Sequence, residues 1–166
     1  MKNLKSILMA SFLTVGIFST ALFTSCNQDK CKDTVCNNGG TCNETDGSCN
    51  CPVGYEGSNC DTESRTKLIG SFLLNGSDSD GGTYTGLVTT TSVSGASKTK
   101  FILNIQGAFI LTCTMSSASS FTIDNATIAG FTYTGSGTFV GSTLTISITE
   151  TDGIDTVIYS FNGNKQ

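Results

Sequence analysis

Apolar residues recur at every second position in the later part of this chain, and the pattern predicts β-strands. Four stretches carry it: 101–105, 109–115, 144–148 and 157–161. Because successive side chains of a strand point to opposite faces, each stretch is predicted as a strand with one buried face. Turn signals such as Asn75-Gly76 and Asp152-Gly153 recur at short intervals and favour antiparallel hairpins. We predict about eight strands over residues 68–166, in an up-and-down sheet that closes into a small barrel or folds as a sandwich.

A different pattern, a continuous apolar run, covers residues 7–23 and follows two lysines. This is typical of a secretory signal peptide, and a transmembrane anchor is the alternative because the run approaches the roughly 20 residues that span a bilayer. The segment LFTSC at 22–26 resembles the lipobox of bacterial lipoproteins. The resemblance implies that residues 1–25 are removed and that Cys26 is lipidated. Acyl chains such as palmitate would then attach residues 26–30 to a membrane as a tether.

Seven of the eight cysteines lie between residues 26 and 60. Such clustering indicates disulfides and an oxidising compartment. From Cys31 the spacing is C-x4-C-x5-C-x6-C-x-C-x8-C, and six cysteines allow fifteen pairings that spacing alone does not distinguish. A thiolate zinc cluster is the rival interpretation, but six thiols without histidine match no common four-ligand site.

The spacing, together with NGGTC at 38–42 and CPVGYEGSNC at 51–60, resembles an EGF-like domain. The resemblance covers residues 31–60 and implies the disulfides Cys31–Cys42, Cys36–Cys49 and Cys51–Cys60. Each bridge contributes about 2–4 kcal/mol by restricting the unfolded chain, which suits a segment with few aliphatic side chains. The polar segment 61–67 is interpreted as a linker to the β-domain.

Calcium is the one cofactor that the sequence brings into question. Many EGF-like domains bind calcium, and Asp29 is the carboxylate that precedes the first cysteine of this one. Asp78 and Asp80 lie in a loop with partial likeness to a calcium-binding loop. All three are weak candidates, because calcium takes six to eight oxygen ligands and these segments supply few. We therefore expect no cofactor.

Composition and charge narrow the possible functions. Charged residues make up 13% of the chain, the net charge is −4 and there is no basic run, so we expect no nucleic-acid partner. The chain has no histidine, which excludes Ser-His-Asp triads and histidine-containing zinc sites built from this chain.

The remaining candidate chemistry does not favour an enzyme. Glu150, Asp152 and Asp155 raise the possibility of paired glycosidase carboxylates, but they flank a turn, where acids usually face water. Cys113 shares a strand face with Leu111 and Met115, which predicts a core residue rather than a reactive thiol.

These predictions describe a non-enzymatic, lipid-anchored protein of the cell envelope, placed in the outer membrane with surface exposure left open. The EGF-like module would act as a stalk, and the β-domain would bind an unknown protein or glycan. The arrangement resembles secreted lipoproteins of Bacteroidetes type that join EGF-like modules to lipocalin-like β-domains. The alternative function is a carrier of small apolar ligands. Its pocket is predicted among Phe101, Leu103, Phe121, Phe131 and Phe139.

Overall fold

A computed structural model describes residues 29–95, 97–106 and 109–166. The signal peptide predicted over residues 1–25 and the lipidation site predicted at Cys26 lie outside the described residues. Within the described ranges, no helix is long and apolar enough to cross a bilayer.

Residues 31–60 form a small module held together by disulfides. Strand β1 (Thr41–Cys42) pairs with β2 (Cys49–Asn50), and β3 (Tyr55–Glu56) pairs with β4 (Thr62–Glu63). Among residues 31–60, Cys60 is the only apolar side chain that is fully buried, so the module has almost no core of its own. The three bridges are the pairs that the EGF-like resemblance implies: Cys31–Cys42, Cys36–Cys49 and Cys51–Cys60.

The segment predicted as a linker, 61–67, is an ordered connection in the structure. It supplies strand β4 and most of a 3-10 helix, Ser64–Leu68. Leu68 is completely buried in the barrel core, and the Lys165 Nζ donates to the carbonyl oxygen of Lys67 at 2.9 Å. Arg65, only 6% exposed, is covered by residues distant in sequence, which is why local composition did not reveal its burial.

The second domain is a closed, antiparallel barrel of eight strands. Each strand pairs with its neighbours in sequence, and the last strand pairs with the first. The prediction of an up-and-down antiparallel sheet is confirmed, and the barrel is the correct one of its two forms. The strands are β5 (Gly70–Asp78), β6 (Thr83–Ser92), β7 (Lys100–Ile105), β8 (Phe109–Met115), β9 (Ser120–Ile128), β10 (Phe131–Val140), β11 (Thr143–Thr151) and β12 (Thr156–Lys165).

The closed end of the barrel, where β5 begins and β12 ends, is filled by side chains. Phe72 meets Phe139 edge to face at 5.8 Å between ring centroids, and Phe101 meets Phe121 at 5.0 Å. Such pairs contribute beyond their buried area. Gly137 makes the second pair possible, because a Cβ there would lie 2.2 Å from the Phe121 ring. The EGF-like module joins the barrel at this end.

Candidate ligand-binding cavity

The open end of the barrel, where β5 ends and β6 begins, contains a cavity of about 440 Å³. This volume lies in the range of small-molecule sites. Its deeper wall is apolar and comes from the middle of four strands: Leu74, Val88, Leu111 and Ile148 are at most 3% exposed. The rim lies nearer the strand ends and includes Tyr84, Gln106, Phe109, Tyr159 and Phe161.

Two glycines on the inner face shape this rim. Gly76 of β5 pairs with Tyr84 on one side and with Phe161 on the other. A Cβ on Gly76 would lie 2.4 Å from Cδ1 of Phe161, so the missing side chain lets the ring lie against the barrel wall. A Cβ on Gly86 would likewise lie 1.7 Å from the Gln106 amide nitrogen. Aromatic and amide groups therefore line the cavity without filling it.

Three aromatic rings cluster at one side of the rim. The ring centroids of Tyr84 and Tyr159 are 6.0 Å apart, and each lies 6.4 Å from that of Phe161. The Tyr84 hydroxyl donates to a carboxylate oxygen of Asp78. This hydrogen bond raises the pKa of Tyr84 and lowers the pKa of Asp78. The phenol therefore stays protonated and the carboxylate stays charged at neutral pH.

Glu150 holds a second tyrosine in the same way. The Tyr159 hydroxyl donates to Glu150 Oε2 at 3.2 Å, and burial together with the Glu150 charge raises the pKa of Tyr159 to about 12. Tyr133 is directly opposite Glu150 across β10 and β11. Burial, and then the Glu150 charge, raises the pKa of Tyr133. The Glu150 carboxylate thus interacts with two tyrosines of the cavity wall, Tyr159 and Tyr133.

The weak calcium candidates do not come together at one site. Asp78 caps the β5–β6 turn, where its Oδ1 accepts hydrogen bonds from the backbone N–H groups of Asp80 at 2.9 Å and Gly82 at 2.7 Å. Asp29 accepts from the backbone of Cys31 in the EGF-like module. The part of the chain that the structure describes contains no group of three or more His, Cys, Asp or Glu side chains that could hold a metal ion.

Two of the carboxylates that suggested a glycosidase, Asp152 and Asp155, lie in a solvent-exposed turn, whereas Glu150 belongs to strand β11 and lies at the cavity wall. Asp152 Oδ1 accepts hydrogen bonds from the backbone N–H groups of Ile154 and Asp155, both at 2.8 Å. These bonds lower the pKa of Asp152, whereas a general acid requires a raised one. Cys113 is a free thiol completely buried in the barrel, and burial raises its pKa to about 12.

The predicted pocket residues were wrong. Phe101, Leu103, Phe121 and Phe139 are buried in the packed core, and Phe131 is 39% exposed; none of the five lines the cavity. Hydrophobicity alone did not distinguish a filled end of the barrel from an open one. The available signal was the mixture of glycine and tyrosine on β6, where Tyr84 and Gly86 occupy inner positions.

No family model matches the chain. Over 55 residues it is 38% identical to Fibropellin-1 of Strongylocentrotus purpuratus, a match that covers 32% of this chain. The match supports an EGF-like module, and it spans only 5% of the length of that relative.

Two solved structures overlap with 62% of the chain. The structure of EF1p2_mFAP2b bound to DFHBI is 14% identical, is covered over 98% of its length and gives a TM-score of 0.45. A redesigned β-barrel is 15% identical, is covered over 95% of its length and gives a TM-score of 0.48. The fold assignment for this chain therefore rests on its own strand pairing.

Proposed function

We propose that this protein is a lipid-anchored binding protein of the cell envelope whose barrel takes up a small, largely apolar ligand. The observation that carries the proposal is the cavity of about 440 Å³ at the open end. Its depth is apolar, as burial of a hydrophobic ligand body requires, while tyrosine and glutamine side chains at the rim provide polar contacts. No catalytic role is proposed for the cavity residues.

The arrangement of the two modules suits attachment through Cys26. A lipid on this residue would hold the EGF-like module by the short tether 26–30, and the module joins the barrel at its closed end. The cavity opens at the opposite end, so anchoring in the outer membrane would leave it accessible. Intact mass of the detergent-extracted protein tests the anchor: residues 26–166 plus acyl groups are expected. A mass that retains residues 1–25 without lipid would contradict it.

Binding of a protein or glycan on the outer wall is the second candidate. Its support is a pair of apolar side chains, Leu73 and Leu87, which face each other across β5 and β6 and are 44% and 47% exposed. Replacing both residues by threonine is expected to abolish capture of such a partner and to leave ligand uptake unchanged.

Ligand uptake is tested with the neutral fluorescent probe N-phenyl-1-naphthylamine and the mature, oxidised protein. We expect saturable binding, lost in the variant Leu111→Trp because the indole enters the cavity. Ile110→Trp is the matched control, because Ile110 precedes Leu111 in the same strand and is 62% exposed on the outer wall. Circular dichroism checks folding of both, and Val88→Phe is a second, smaller blocking change. Absence of saturable binding, or equal binding by both tryptophan variants, would refute ligand uptake.

A further inference from the structure

The tyrosine hydroxyls at the rim direct their protons toward the protein rather than toward the cavity. Tyr84 donates to Asp78, and Tyr159 donates to Glu150. A phenol whose proton is committed in this way offers a ligand only oxygen lone pairs and the face of its ring. Both partners are carboxylates, so these oxygens also lie in a negative potential.

A further polar group of the rim is arranged similarly. The Gln106 Nε2 donates one of its hydrogens to the backbone carbonyl of Thr85 at 3.2 Å. The Gln106 side-chain oxygen remains as an acceptor, beside the second amide hydrogen. Among the described residues that line the cavity there is no lysine or arginine, and the chain contains no histidine. The rim is therefore rich in acceptors and in aromatic faces.

Charge is divided between the two ends of the barrel. The open end, with the β5–β6 and β11–β12 turns, carries Asp78, Asp80, Glu150, Asp152 and Asp155. The lysines and arginines of residues 61–166 all lie at the closed end of the barrel or where the EGF-like module joins it. They are Arg65, Lys67, Lys98, Lys100 and Lys165. Charges of one sign around a cavity with low-dielectric walls concentrate the field at its entrance. The entrance therefore attracts cations.

We infer that the cavity selects a small organic cation, in which a protonated amine at the rim is joined to an apolar body in the depth of the barrel. The inference rests on the proposed ligand uptake and names its substrate class. The ammonium group would donate to the tyrosine and glutamine oxygens and lie against the rings of Tyr84 and Tyr159, whose faces attract cations. The alkyl or aryl body would contact Val88, Leu111 and Ile148.

Three probes with the same chain test the inference on the mature protein: n-octylammonium, n-octanol and n-octanoate at pH 7. At this pH an alkylamine is protonated and a carboxylic acid is ionised. Displacement of N-phenyl-1-naphthylamine gives their affinities. We expect octylammonium to bind about tenfold more tightly than octanol, and octanoate to bind more weakly than octanol. Equal or tighter binding of octanol or octanoate would overturn the preference while ligand uptake stands. Failure of every probe to bind would overturn both proposals.

Two variants test whether affinity for the cation depends on the carboxylate at the rim or only on the net charge of the barrel. Glu150→Gln removes the carboxylate behind Tyr159 and is expected to lower octylammonium affinity several-fold, and octanol affinity by a smaller factor. Asp124→Asn is the control, because this carboxylate pairs with Lys100 at 2.5 Å on the outer wall. It removes the same charge from the barrel, and we expect no change in either affinity. Equal effects of the two variants on octylammonium would overturn a role for Glu150.

Discussion

Replacing Arg65 by methionine is predicted to weaken the junction between the EGF-like module and the barrel. The Arg65 side chain is 8% exposed, donates to the carbonyl oxygen of Lys100 at 2.6 Å and pairs with Glu63 at 3.1 Å. Methionine retains an apolar stem but loses the charged donor. A hydrogen bond from a charged group contributes about 1.5–3 kcal/mol, and Glu63 keeps Lys98 as a partner at 2.7 Å. We therefore expect the free energy of unfolding to fall by about 2–3 kcal/mol, which lowers Tm by about 10–20 °C.

The matched control is Lys98→Met, which removes the other cation paired with Glu63. The Lys98 side chain is 54% exposed, and exposed ion pairs contribute only about 0–1 kcal/mol. Urea unfolding of the oxidised protein, followed by far-UV circular dichroism and tyrosine fluorescence, measures both variants. Hydrogen exchange at the amides of 97–100 reports whether the junction opens locally. Losses of equal size in the two variants, or a loss below about 0.5 kcal/mol in Arg65→Met, would refute the energetic role assigned to Arg65.

The remaining predictions concern the thiol, the disulfides and the packed end of the barrel. Because Cys113 is fully buried and its pKa is raised to about 12, iodoacetamide at pH 8 should leave it unmodified until guanidinium unfolds the barrel. Rapid labelling of the native protein would contradict this. Reduction should unfold residues 31–60 and leave the barrel folded, since all three bridges lie in the module; NMR spectra in which barrel signals collapse on reduction would show otherwise. Gly137→Ala should cost about 1–3 kcal/mol in urea unfolding, because the new Cβ meets the Phe121 ring. Ser136→Ala, which faces outward on the same strand, should unfold like the wild type.

Local pattern was sufficient to predict the strands. Leu144, Ile146 and Ile148 alternate with polar residues and are buried as a period of two requires. The local pattern did not predict whether the sheet closes into a barrel. Closure depends on pairing between β5 and β12, where Phe72 lies opposite Lys165. Contacts between residues so far apart in sequence do not change the local alternation of apolar and polar side chains.

The cavity also could not be predicted from the local pattern of apolar and polar residues. Phe72 and Phe139 fill the closed end because strands that are not neighbours bring their rings together across the barrel. An equally aromatic open end stays unfilled because Phe161 lies against the wall at Gly76. Both arrangements have the same binary pattern of apolar and polar positions, so only the three-dimensional pairing distinguishes a ligand site from a core.

The charge at the cavity follows from how the junction is built. Lys165 donates to the carbonyl oxygen of Lys67, Lys67 pairs with Glu56 at 2.7 Å, and Arg65 binds the carbonyl oxygen of Lys100. The barrel domain thus places its cations where the module attaches, and the acids of the open end have none of them nearby to neutralise their field. The cation preference is then a by-product of the attachment. Replacing an acid of the open end by a lysine, as in Asp80→Lys, should reduce octylammonium affinity without altering the cavity wall.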